Sequence, residues 1–254
     1  MLFRYILCFI GCVSQVFSDP IVGGTNAAFT KFTYQVSLED DEGFHFCGGS
    51  IISSLWVLTA AHCIVNTNII VVTGSVYQNA GVRHAVKSII VHEYYNEITV
   101  ENDVAVIELL YGIRFNKNTQ PIKLSFRLPP SQTNLTTTGW GYQNESARIS
   151  PNHLQMLAVK SITFSKCLQY EPIDPEEPLV KLIVGKNFCV QNPQGEGICN
   201  GDSGGGIVWN ETLIGVISFG ADKCAIGKPV VCSSIPAFRY WIEKTTGVQI
   251  NEGI

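Results

Sequence analysis

After residue 20 the chain is a succession of short apolar-rich runs punctuated by Gly, Asn, Pro and Ser. Ser50 to Leu58, Ile69 to Val72, Val86 to Val91, Val104 to Leu110 and Thr212 to Phe219 are examples. Runs of this length at fairly regular spacing read as strands of β-barrels or a sandwich. Of 254 residues, 46% are hydrophobic and only 15% charged, so the chain has the material for a large core and disorder is excluded. The length permits one large domain or two small ones sharing a cleft. Two helices stand out: a short turn after Ser165, and a C-terminal segment with Ser234 as N-cap and Pro236 in its first turn. Phe238, Trp241 and Ile242 share one face of that segment, and Gly247 ends it. The polar stretch Asn116 to Pro130 reads as the connection between halves, and Glu171 to Pro178 as an acidic, solvated loop. A net charge of −4 argues against nucleic acid as a partner, since phosphates call for a basic face.

The N-terminus has the form of an export signal. Arg4 precedes the apolar run Tyr5 to Val13, and Val16-Phe17-Ser18 offers a cleavage site after Ser18. A membrane-spanning helix needs about 20 apolar residues, which this run lacks. Removing residues 1–18 takes Cys8 and Cys12 away and leaves Cys47, Cys63, Cys167, Cys189, Cys199, Cys224 and Cys232. In an exported chain these are mostly disulfide partners, and the odd count leaves one thiol unpaired or bridging two chains. With no CxxC pair, a zinc site is set aside.

Three windows carry chemistry: Thr59-Ala60-Ala61-His62-Cys63, Asn102-Asp103-Val104-Ala105 and Gly201-Asp202-Ser203-Gly204-Gly205. Singly, each has a bland reading as a structural His, a turn Asp and a glycine turn. Together, in the order His, Asp, Ser, they describe a base, an orienting carboxylate and a nucleophile. A serine hydroxyl is too weakly acidic to attack a carbonyl unaided, so an imidazole must take its proton. Glycines around Ser203 let the backbone turn sharply and aim N–H groups at a developing oxyanion.

With these motifs the chain resembles the chymotrypsin/trypsin family of secreted serine endopeptidases. Ile21-Val22-Gly23-Gly24, Phe46-Cys47-Gly48-Gly49-Ser50, Trp56 to Cys63, Gly139-Trp140-Gly141 and Gly201 to Gly205 match in order. The resemblance spans residues 21 to about 246. It implies an all-β fold of two antiparallel six-stranded β-barrels around a cleft, with a C-terminal helix. On this reading the peptidase domain is 21–246, with barrels at about 21–120 and 121–233, the helix at about 235–246 and a tail at 247–254. Ser203 is then the nucleophile, His62 the general base and Asp103 the orienting carboxylate, with the oxyanion hole formed by the N–H groups of Gly201 and Ser203. Ser218-Phe219-Gly220 would pair with the substrate backbone, Phe219 standing where the family has tryptophan.

The resemblance further implies that a freed Ile21 amine pairs with Asp202. Relatives expose that amine by cutting after Arg or Lys, whereas here Asp19-Pro20 precedes it. Cleavage after Ser18 followed by removal of the dipeptide 19–20 is the expected route. The specificity pocket maps onto Gly197 at the base, Ile198 beside it, and Gly220 and Val230 on the walls. No carboxylate stands at the base, so Arg and Lys are disfavoured. The expectation is cleavage after small or medium aliphatic residues, with an aromatic preference or a non-catalytic binding role as alternatives. The implied bridges are Cys47–Cys63, Cys167–Cys189 and Cys199–Cys224. Cys232 is left alone, and Leu135 and Trp209 replace a further bridge of the family. Gly74 to His84 lacks acidic residues, so neither metal nor cofactor is expected. Asn134, Asn144 and Asn210 open N-x-S/T sequons, candidates for glycosylation. His45, His84, His92 and His153 read as structural or surface residues. The expected partners of this secreted monomer are protein or peptide substrates and protein protease inhibitors, with no membrane attachment after signal cleavage.

Overall fold

The computed structural model describes residues 22–64, 68–143, 146, 148–169, 182, 184–221 and 223–250. The expected leader, the dipeptide 19–20, Ile21, Asn144 and the acidic loop lie outside the described residues. A two-residue strand β1 (Thr25–Asn26) precedes the first barrel, whose strands are β2 (Gln35–Glu39), β3 (His45–Ile51), β4 (Trp56–Thr59), β5 (Ile70–Thr73), β6 (Val82–Val91) and β7 (Ala105–Leu109). They close in the order β2-β3-β4-β7-β6-β5. The second barrel holds β9 (Asn134–Gly139), β10 (Gln155–Ile162), β11 (Asn187–Gln191), β12 (Gly206–Trp209), β13 (Thr212–Phe219) and β14 (Val230–Ser234). It closes because β9 pairs with both β10 and β12. Two six-stranded antiparallel barrels are therefore present, as the sequence implies.

Short strands carry the chain because β-branched and large aliphatic side chains alternate inward on them. In β2, Val36 and Leu38 are fully buried in the first core. Gln35, Ser37 and Glu39 alternate to the other face and are buried as well. That second face is polar by necessity, since Thr138 of β9 donates to Gln35 Oε1 across the gap at 2.8 Å. The second core gathers Leu157, Val159, Val190, Ile207, Ile214 and Cys232.

The stretch 116–130 does connect the barrels, and it contains β8 (Lys123–Leu124), which lies parallel on β13. β1 pairs with β10, so the second barrel receives both short strands from chain outside its own ring. Helix α2 (Ile235–Thr246) follows β14 directly. Its apolar face of Ile235, Phe238, Trp241 and Ile242 joins the core cluster that fills the first barrel, together with Leu213 and Val216 of β13. Ser234 is its N-cap without a side-chain cap bond, Pro236 sits in the first turn, and Gly247 ends it at φ 72°, its N–H donating to Glu243 O. The helix α1 (Phe164–Leu168) begins one residue before the predicted turn, and Thr163 caps it by accepting from Lys166 N.

The three expected disulfides are formed: Cys47–Cys63, Cys167–Cys189 and Cys199–Cys224. Cys232 is the free cysteine among the described residues; it is fully buried, and burial pushes its thiol well above the usual range. A thiolate reagent should therefore label one cysteine of the chain from Ile21 onward in denaturant and none in the native state. Rapid native labelling, or more than one thiol in unreduced denatured protein, contradicts this arrangement.

Candidate active site

Strands β4 and β7 are neighbours with Thr59 opposite Ala105, so the turn leaving β4 meets the segment entering β7. This brings together His62, in the 3-10 turn Ala61–Cys63, and Asp103. The Cys47–Cys63 bridge ties that turn back to β3. Asp103 Oδ1 accepts the His62 backbone N–H at 2.9 Å, and Oδ2 accepts from Nδ1 at 2.8 Å. The Ser218 hydroxyl also donates to Oδ2, and Ser233 Oγ donates to the Asp103 carbonyl at 2.7 Å. Both serines come from the second barrel, so Asp103 is gripped from two sides and is 1% exposed. A carboxylate facing Nδ1 keeps the proton there, leaving the Nε2 lone pair free to act as a base. Upstream, Asn102 adopts φ 57°; its amide donates to Tyr94 O at 2.7 Å and its Oδ1 accepts from Lys186 Nζ at 2.6 Å.

The turn carrying Ser203 is held peptide by peptide. The Asn200 carbonyl accepts from Tyr142 N at 2.8 Å, and the Asp202 carbonyl from Gly205 N at 3.0 Å. Between them, the Gly201–Asp202 peptide is pinned at both ends: its N–H donates to Cys199 O at 3.0 Å, and its C=O accepts from His45 Nε2 at 2.9 Å. No peptide bond here is cis, so each tethered carbonyl aims its own peptide's N–H the opposite way. Neither the Gly201 nor the Ser203 N–H has a protein acceptor among the described residues. Two N–H groups without a protein acceptor beside a serine hydroxyl are an arrangement able to hold developing negative charge.

Asp202 turns inward. Its Oδ1 accepts from Gly141 N at 2.8 Å and its Oδ2 from Cys199 N at 2.9 Å. Glycine is required at 139 and 141 because a Cβ at either would lie within 2.3 Å of the Asp202 carboxylate. Burial pushes the Asp202 carboxyl up to about 6, against the opposing pull of its two backbone donors.

His62 and Ser203 line one open cleft with Tyr95, Ser218, Phe219 and Gly220. Ile198 and Val230 line it too. Gly197 lines a smaller recess that shares Ile198, Gly220, Ala221 and Val230 with this cleft. Cys47, Cys63 and His62 lie within ligand distance of one another, but both sulfurs are in the disulfide and are not thiolates. In the sequence, His45 reads as a structural or surface residue and Ser218 as a backbone partner of substrate. The structure gives them bonds to Gly201 and Asp103, partners 156 and 115 residues away. No local pattern signals either.

Two barrels meeting at a serine-histidine cleft place the chain among the serine endopeptidases, and known proteins agree. A family model described as Trypsin matches residues 21–242. Trypsin of Sarcophaga bullata is 35% identical over 240 residues, 92% of each chain. Chymotrypsin-2 of Vespa crabro is 37% identical over 234 residues, covering 88% of this chain and 99% of that protein. Among solved structures, neuropsin, a serine protease expressed in the limbic system of mouse brain, superposes with a TM-score of 0.79 at 27% identity. That match covers 88% of this chain and 98% of neuropsin. The chain belongs to the trypsin family, and as such is a hydrolase of protein and peptide chains.

One glycine tests the site's backbone. Gly204 has φ 76°, and a Cβ there would lie 2.2 Å from Thr59 Oγ1 and 2.6 Å from Gly48 O. The left-handed backbone alone costs other residues about 1–2 kcal/mol. Gly204→Ala should lower stability by more than that in chemical denaturation and cut kcat together with it.

Proposed function

We propose that Ser203, His62 and Asp103 hydrolyse peptide bonds through an acyl-enzyme. His62 Nε2 takes the Ser203 proton as Oγ attacks the carbonyl carbon, and the N–H groups of Gly201 and Ser203 hold the oxyanion. The imidazolium then passes its proton to the leaving amine as the C–N bond breaks. Water repeats the cycle against the acyl-enzyme, giving up its proton to His62 and releasing the acid and the serine. The observation that carries this reading is the buried Asp103 carboxylate fixing His62 Nδ1–H at 2.8 Å, with Nε2 left for a serine lining the same cleft.

The pocket supports a preference for small and medium aliphatic side chains before the cut bond. Ile198 and Val230 present branched walls to the cleft, whereas Gly197 lines only the smaller recess that shares them. Gly220 leaves the entrance wide, which would favour the aromatic alternative if the inner wall yielded. Peptide anilides ending in Ala, Val, Leu, Phe and Arg decide between them, with Ala to Leu expected fastest and Arg slowest. A methylene of misfit is worth about 1–3 kcal/mol, so Val and Leu, one methylene apart, should differ by no more than roughly 200-fold. Fastest cleavage after Arg overturns the pocket reading, and hydrolysis surviving Ser203→Ala overturns the mechanism.

We infer that residues 1–18 direct secretion and that loss of the dipeptide 19–20 exposes Ile21 to pair with Asp202. Val22 supports this, since its carbonyl accepts from Gly197 N at 2.9 Å and seats the start of the mature chain beside the pocket loop. Asn134 and Asn210 are exposed and open to N-glycosylation.

The activation pair has a pH signature. With the Asp202 carboxyl raised from 3.8 to about 6, the fold binds the proton more tightly than the unfolded chain does. Its contribution to stability is full below about pH 4 and is lost as pH rises through 6. A precursor still carrying residues 19–20 should therefore lose stability over that window, by urea midpoint, and Asp202→Asn should remove the slope. The form beginning at Ile21, whose amine favours the carboxylate, should show a flatter profile. Equal slopes in both forms exclude the pair.

A further inference from the structure

His45 is one end of a buried chain of polar groups. Its Nε2 reaches Gly201 O at 2.9 Å, its Nδ1 lies 2.8 Å from Ser37 Oγ, and Ser37 Oγ lies 3.2 Å from Glu39 Oε1. Glu39 Oε2 receives Arg83 Nη1 at 2.5 Å. The Glu39 side chain is 1% exposed and the Arg83 side chain 45%, so the chain runs from the surface to the peptide between the two open N–H groups. Trp140 packs edge-on against the imidazole at 5.5 Å.

Proton counting shows what is at stake. Gly201 O, His45, Ser37 and Glu39 define three gaps, each closed only by one proton. A neutral imidazole and a hydroxyl supply two. Burial pushes the His45 imidazole down to about 4, so it is neutral at neutral pH. In one arrangement Nε2–H donates to Gly201 O, Ser37 donates to Nδ1, and the gap to Glu39 is left bare. In the other, Ser37 gives its proton to Glu39, Nδ1–H donates to Ser37, and Nε2 turns a lone pair on the Gly201 carbonyl. The distances favour the first, because the bare gap is then the longest of the three. What holds it there is Arg83: with its charge met at Oε2, Glu39 does not need the serine proton. A buried carboxylate stripped of its partner seeks any donor, and Ser37 is within reach.

We propose that the Arg83–Glu39 ion pair sets the tautomer of His45, and through it the peptide joining the two oxyanion donors, so that both residues position a hole they never touch. This rests on the reading of Gly201 and Ser203 as those donors.

The test is Arg83→Met in the mature enzyme, with active sites titrated so that only folded protein is counted. Losing a whole oxyanion donor costs about 10²–10³ in turnover, and a misplaced hole should cost part of that, about tenfold in kcat with KM within about twofold. Nitrogen NMR of the imidazole should show His45 moving from Nε2–H to Nδ1–H. Adding Glu39→Gln should restore kcat to within about threefold and return the tautomer, because an amide N–H supplies the missing third proton. An unchanged kcat, an unmoved tautomer, or a double variant as slow as the single one overturns the proposal. If Arg83→Met does not fold, Arg83→Gln is read in the same way. Wild-type His45 must itself be Nε2–H, and an Nδ1–H signature there overturns the proposal without any variant. Failure of the underlying reading looks different: hydrolysis would survive Ser203→Ala.

Discussion

The direction of two backbone N–H groups governs what this fold can do. An N–H cannot be aimed on its own, because its peptide is planar and its carbonyl moves with it. The chain aims the Gly201 and Ser203 N–H groups by tethering the carbonyls on their far sides, to Tyr142 N and Gly205 N. The peptide between is fixed at both ends, and the Ser203 carbonyl is taken by Gly48 N at 2.8 Å. Gly48 belongs to β3 of the first barrel, and Thr59 Oγ1 of β4 donates to the Gly48 carbonyl in turn. On the proposed reading of these groups as the oxyanion donors, the hole is preorganised by the junction of two barrels rather than by the loop that contains it.

Three buried carboxylates serve that junction, each answered by different partners. Asp103 receives a backbone N–H, an imidazole N–H and a hydroxyl. Asp202 receives two backbone N–H groups and no side-chain donor among the described residues, and burial pushes its carboxyl up. Glu39 has a guanidinium. Dipoles alone leave Asp202 short of compensation, which makes it the carboxylate most responsive to an arriving cation. Folding around an undercompensated charge is how a chain can be assembled and still wait for a covalent event.

Much of this was legible in the sequence because it is written locally. Short apolar runs mark the strands, the spacing of Phe238, Trp241 and Ile242 marks the helix face, and the windows around His62, Asp103 and Ser203 each sit within five residues. The disulfide pattern followed from resemblance and was met. What escaped were bonds between residues remote in the chain: Ser218 to Asp103, Lys186 to Asn102, His45 to Gly201. Each depends on which way a side chain faces at the seam between barrels, and single-sequence periodicity has no record of that seam. The two-residue strands β1 and β8 were invisible for a related reason, since two residues cannot show an alternation.

The same geometry bears on how specificity is built. At the pocket base, a Cβ on Gly197 would lie 3.0 Å from Ala225 Cα and 3.1 Å from its N, so a side chain there would press on backbone rather than project freely. Ala225 in turn follows the Cys199–Cys224 bridge and has φ 57°, which limits how far that loop can retreat. Ile198 and Val230 line both the recess beside Gly197 and the open cleft. On the proposed reading, a carboxylate at 197 would be a buried charge among apolar walls. On that reading selectivity belongs to the walls, and changing it means removing bulk at 198 and 230 before adding charge at the base.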